Sequence, residues 1–85
     1  MTVRFVKPCI KQYKKLSPHI RDKFDRQLQI LLHNFRHPSL HTKRMRGKKV
    51  VWEARVDYQY RFTFEVKETI ILIRSVGPHG VLKKP

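Results

Sequence analysis

The chain is short of acid. Among 85 residues it carries 6 Asp and Glu against 20 Lys and Arg, a formal net charge of +14 at pH 7. An excess of this size repels itself in the free protein, so it points to a polyanionic partner: nucleic acid, an acidic protein or anionic lipid. Cysteine is nearly absent as well. Cys9 stands alone, which excludes an internal disulfide and fits a reducing cytosol. By itself it reads as a small buried hydrophobe. No stretch approaches the ~20 apolar residues of a transmembrane helix, and Met1 to Pro8 lacks the apolar run of a signal peptide. The best amphipathic helix has the pattern of a core helix, so lipid ranks last among the partners and a cytoplasmic protein is expected. The chain also lacks internal repeats, low-complexity tracts, linkers, a phosphate-cradling glycine loop and an evident Ser-His-Asp set.

What is present suffices for one small globular domain over residues 1–85, since 40% of the residues are hydrophobic. A core of this size gives modest stability, on the order of 5 kcal/mol. Val3 to Val6 is β-rich and alternates, as a short edge strand would. Lys7 to Leu16 fits a short helix with Pro8 in its first turn and Tyr13 and Leu16 turned inward. A second helix is clearer. Ser17 is a good N-cap, Pro18 suits the first helical position, and Ile20, Phe24, Leu28, Leu31 and Phe35 recur on one face until His37-Pro38 ends the pattern.

Then comes a basic segment without acid, containing Lys43, Arg44, Arg46, Lys48 and Lys49, read as a loop. Val50 to Val56 and Tyr60 to Val66 alternate apolar and polar residues, as strands with one buried face do. Thr69 to Val76 is apolar throughout, as expected of a central strand. The sum is an α+β fold: a small antiparallel sheet, made of a three-strand C-terminal meander and a short N-terminal strand, with two N-terminal helices packed on one face.

Strand register brings candidate site residues together. A three-residue loop at Asp57-Tyr58-Gln59 sets Arg55 opposite Arg61. A two-residue turn at Lys67-Glu68 would set Arg61 opposite Arg74, making a row of three arginines on the face away from the core. Like charges opposite one another destabilise a sheet, and a phosphate between them would relieve this, because guanidinium forks match its oxygens. A solvated surface diluted by Glu53 and Glu65 is the plainer alternative. His79 follows the last strand between two glycines, near the arginines, and imidazole can exchange a proton near neutral pH. His33, His37 and His41 have helical four-residue spacing, but Pro38 should break that helix, and no acidic or Cys partner stands nearby, so no metal site is expected.

From His37 onward a family resemblance becomes visible. His37-Pro38-Ser39-Leu40, Lys43 to Gly47, Trp52 to Val56, Tyr60 to Phe64, Ile70 to Arg74 and Val76-Gly77-Pro78-His79 look like the successive motifs of the RelE/ParE toxin superfamily. The helix pair before them fits too, and Leu82 to Pro85 is similar to the tail of one branch. The resemblance implies the toxin of a type II toxin-antitoxin pair, silenced by an antitoxin with an acidic or amphipathic segment. RelE-like members are endoribonucleases that work without metal or other cofactor, most of them cutting mRNA on the ribosome. ParE-like members share the fold and poison DNA gyrase instead.

Carried over by position, Arg61 corresponds to the contact with the scissile phosphate. His79 matches an Arg or His after the Val-Gly pair, and Arg55 a basic position on the preceding strand. The C-terminal aromatic of some relatives is missing, and Lys83 stands near its place. The expected roles are charge stabilisation by Arg61 and Arg55 with help from Arg74, proton transfer by His79, and assistance to the leaving oxygen by Lys83. Lys43, Arg44, Arg46, Lys48 and Lys49 would hold mRNA or ribosomal RNA backbone. A gyrase inhibitor without nuclease activity is the main alternative reading, and a purely structural RNA-binding protein the next.

Overall fold

Proline opens both helices. The structure, a computed structural model, describes residues 1–47 and 50–81. After strand β1 (Thr2–Phe5), helix α1 (Lys7–Lys15) begins with Pro8 in its first turn. In helix α2 (Pro18–His33) Pro18 takes the first position, and the Ser17 hydroxyl accepts from the Ile20 amide at 3.3 Å. Such a cap contributes about 1 kcal/mol. The helix ends at His33, earlier than the apolar pattern indicates, because Asn34 is extended. Phe35 still reaches the core from the following turn, edge-on to Trp52 at 5.0 Å. A 3-10 turn (Pro38–Leu40) leads to strand β2 (Lys43–Arg44), a short strand within the segment expected to be loop. Strands β3 (Val51–Arg55), β4 (Tyr60–Lys67) and β5 (Ile70–Pro78) follow, then a second 3-10 turn (His79–Val81).

The five strands form one sheet in the order β1-β5-β4-β3-β2. β1 runs parallel to β5, Thr2 opposite Ile70, while the other pairs are antiparallel. The sheet is therefore mixed, because β1 reaches β5 by way of the helices rather than a hairpin. One face carries Ala54, Phe62, Phe64, Ile71, Ile73 and Val76, all buried. Phe24 of α2 lies on this face, edge-on to Phe62 at 5.1 Å, and is fully buried. Cys9 is buried in the same core, and burial pushes its thiol up to about 11, so it stays protonated as a hydrophobe does. Among the described residues no helix is long and apolar enough to cross a membrane.

The β3–β4 register agrees with the sequence reading, with Arg55 opposite Arg61 and Ala54 opposite Phe62. The β4–β5 register does not. The turn is Glu68-Thr69, with Glu68 left-handed at φ 52°, so Lys67 faces Ile70 and Phe64 faces Ile73. A bulge then intervenes: Thr63 faces Ser75, leaving Arg74 as the extra residue. It resets the alternation, since Ile71 and Ile73 point into the core and so does Val76 rather than Ser75. The proposed row of three arginines is thereby shortened to two. Gly77, not Arg74, faces Arg61, and Arg74 turns to Glu65, to which its Nη1 donates.

Phe24→Ala would empty the contact between α2 and the sheet. It should cost about 3–5 kcal/mol, most of what a domain this small possesses. Urea unfolding should show a midpoint far below that of wild type, with unfolded protein measurable even without denaturant.

Candidate active site

The site lies on the sheet face opposite the helices. Alternation along β3 places Glu53 and Arg55 there, and along β4 Arg61, Thr63 and Glu65. A cleft of ≈ 330 Å³ opens on this face, lined by His41, Lys43, Glu53, Arg55, Arg61 and His79. These residues come from the turn before β2 and from β2, β3, β4 and the turn after β5. Three permanent cations and two imidazoles thus surround one carboxylate. Glu53 Oε1 stands 3.7 Å from Lys43 Nζ and 3.9 Å from Arg61 Nε, too far for hydrogen bonds, so it moderates the positive potential without cancelling it.

Arg61 is only 8% exposed. A guanidinium cannot shed its proton, so one this buried must find acceptors. Its Nη1 donates to the carbonyls of Asp57 at 2.8 Å, Tyr58 at 2.9 Å and Tyr60 at 3.2 Å. These acceptors are neutral, so they fix the side chain while its charge stays available to an anion. The loop supplying them is itself braced. Asp57 Oδ1 accepts from the amides of Gln59 at 2.9 Å and Tyr60 at 2.8 Å, closing an Asx turn. Asp57 Oδ2 accepts from Lys23 Nζ of α2 at 3.2 Å. One helical turn further on, Gln27 Nε2 donates to the Arg55 carbonyl at 2.9 Å and to the Ser39 carbonyl at 3.2 Å. The His79 amide donates to the Gln59 carbonyl at 2.7 Å. One loop therefore holds both Arg61 and His79, and one helix face holds that loop and Arg55.

Of the residues expected from sequence, Arg55, Arg61, His79 and Lys43 come together in the cleft. Arg44 lies beside Lys43 on β2, and Arg46 follows it in an exposed turn; neither lines the cleft. Arg74 is drawn away by the bulge. Lys48, Lys49 and Lys83 fall outside the described residues. Among the described residues no three His, Cys, Asp or Glu side chains form a set that could hold a metal ion, and the spaced histidines His33, His37 and His41 make no such set. Two lining residues are not among the catalytic or RNA-binding residues expected from the sequence, in which Glu53 serves only to dilute the arginine charge and His41 is only one of three spaced histidines. Glu53 could have been found from its place two residues before Arg55 on the same strand face. His41 carries no sequence signal: it reaches the cleft because its backbone is left-handed, φ 47° and ψ 46°, after the 3-10 turn.

Asp57 gives the brace a pH signature. Burial alone would raise its carboxyl, but the Tyr60 and Gln59 amides and the Lys23 ammonium outweigh that and hold it below its ordinary value. A carboxyl depressed by folding stabilises the fold above its unfolded pKa and loses that contribution as pH falls through the folded value. Asp57→Asn should therefore be less stable than wild type at neutral pH, and the gap should narrow below about pH 4. Urea titrations at several pH values measure it.

No protein-family model matches the sequence, and no curated protein matches it significantly. Solved structures do match. The isolated E. coli RelE toxin aligns with TM-score 0.72 at 20% identity, covering 91% of this chain and 82% of that one. RelE in the Methanococcus jannaschii antitoxin-toxin complex aligns with TM-score 0.74 at 22% identity, covering 91% of each chain. The Staphylococcus aureus YoeB dimer aligns with TM-score 0.80 at 15% identity, over 93% of this chain and 97% of that one. The chain thus has the α+β fold of the RelE and YoeB toxins.

Proposed function

We propose that this protein is the toxin of a type II toxin-antitoxin pair and acts as an endoribonuclease on mRNA, on the ribosome and in the cytoplasm. The observation that carries the reading is the cleft itself. Arg55 and Arg61 stand on neighbouring strands with His79 and Lys43 at the same opening, on the RelE fold. The resemblance in the sequence points to Arg55, Arg61 and His79 as well.

The reaction needs no cofactor. The ribose 2′-OH attacks the adjacent phosphorus, the 2′-oxygen to phosphorus bond forms, and the bond to the 5′-oxygen breaks. DNA lacks the attacking hydroxyl. Negative charge gathers on the phosphate oxygens in the transition state, where Arg61 and Arg55 meet it with little reorganisation. His79 exchanges a proton with the attacking or the leaving oxygen. Lys43, with Arg44 and Arg46, holds RNA backbone without reading sequence. Lys48 and Lys49 are proposed to share in holding the RNA, and Lys83 to assist the leaving oxygen. Arg74, committed to Glu65, drops out of the phosphate contact. The net charge suits an antitoxin whose acidic or amphipathic segment covers the cleft.

Arg61→Ala should slow cleavage of ribosome-bound mRNA by about 10²-fold or more, and His79→Ala by about 10²–10⁴-fold. Circular dichroism checks that both variants fold, and Arg61→Lys separates lost charge from a lost brace. Undiminished cutting by Arg61→Ala and His79→Ala would show the site to be wrong. Intact mRNA together with stalled gyrase, followed in the same induced cells, would favour a gyrase inhibitor.

A further inference from the structure

Tyr58 is out of place among the aromatic residues. The other two tyrosines, the five phenylalanines and the tryptophan all lie in the hydrophobic core or pack against it. Tyr58 is 85% exposed, more than any other exposed large hydrophobic residue among those described. The fold gains nothing by keeping this ring in water.

The backbone beneath the ring is well secured. Tyr58 is the central residue of the loop that grips the site. Its own carbonyl accepts from Arg61 Nη1 at 2.9 Å, and the next carbonyl, of Gln59, accepts from the His79 amide at 2.7 Å. The Asp57 carboxylate closes the turn on both following amides. The aromatic side chain is thus carried by a fixed loop, at the end of the sheet that bears Arg55, Arg61 and His79. An exposed ring on an ordered loop beside a cationic cleft has the makings of a stacking platform, because every nucleobase offers a π-face and aromatic side chains bind unpaired bases through it.

We infer that Tyr58 stacks on an unpaired base of the RNA, next to the phosphate that Arg61 holds. The inference rests on the nuclease reading and adds to it a subsite for one nucleobase outside the cleft. A ring that holds the neighbouring base would fix the ribose and phosphate in line for attack, which is work a phosphate contact alone cannot do.

The test uses full-length protein and ribosomes programmed with a defined mRNA, either intact or with an abasic nucleotide on one or the other side of the cleaved bond. Tyr58→Ala should lower kcat/KM on intact mRNA by roughly tenfold or more. Tyr58→Phe and Tyr58→Trp, which keep a ring, should cut like wild type. An abasic nucleotide on the stacked side should slow the wild type to the level of Tyr58→Ala and leave that variant unaffected. Equal rates for Tyr58→Ala and wild type would overturn the inference while leaving the nuclease reading intact. A Tyr58→Ala defect that persists with both abasic mRNAs would also overturn it, showing that the ring touches protein or ribosomal RNA. Wild type that cuts no mRNA overturns both readings.

Discussion

A buried guanidinium needs acceptors, and the way Arg61 obtains them organises this molecule. A carboxylate at hydrogen-bonding distance would have satisfied the charge and consumed it. Instead the main acceptors are backbone carbonyls of the loop between β3 and β4, while the nearest carboxylate, Glu53, stands 3.9 Å from Nε. Such a solution works only if the loop keeps one shape, and the Asp57 side chain gives it that shape. Lys23 then ties Asp57 to α2. The ordering runs from helix to loop to guanidinium, across the sheet from the hydrophobic side to the open one. The apolar packing of α2, anchored by Phe24, therefore sets the geometry of a cleft it never touches.

The bulge at Arg74 is the second constraint. It moves Val76 into the core and brings Gly77, which has no side chain, opposite Arg61. It also separates two cationic functions. Arg74 becomes a structural residue, neutralising the buried Glu65 together with Lys67 at 3.5 Å. Arg61 keeps a positive neighbourhood.

How much of this was legible in the sequence follows from which rules are local. The helix stripe from Ile20 to Leu31 and the alternation in β3 and β4 depend on period alone, and they gave the elements and the Arg55–Arg61 pair. The β4–β5 register depends on one left-handed residue, Glu68, which few would choose over a glycine for that conformation. The bulge did leave a trace: inward residues at 71 and 73 are followed by 76, a step of three where a strand requires two. The parallel pairing of β1 leaves none, because it depends on where the helices deliver the chain. Within the site, strand register singles out Arg61, the position just past the last strand singles out His79, and the motif order points to the same two residues. The Asx turn and Lys23 went unseen because their partners lie far apart in sequence.

The sheet order has a consequence for the birth of the protein. Strand β1, made first, is hydrogen-bonded to β5, the last strand described. Until β5 has been synthesised, β1 has no neighbour, β4 has an open edge and His79 has no loop carbonyl to hold it. Contacts this distant in sequence close late and slowly. The topology therefore makes the cleft the last part of the fold to be completed, since His79 and its loop carbonyl meet only once β5 has joined the sheet.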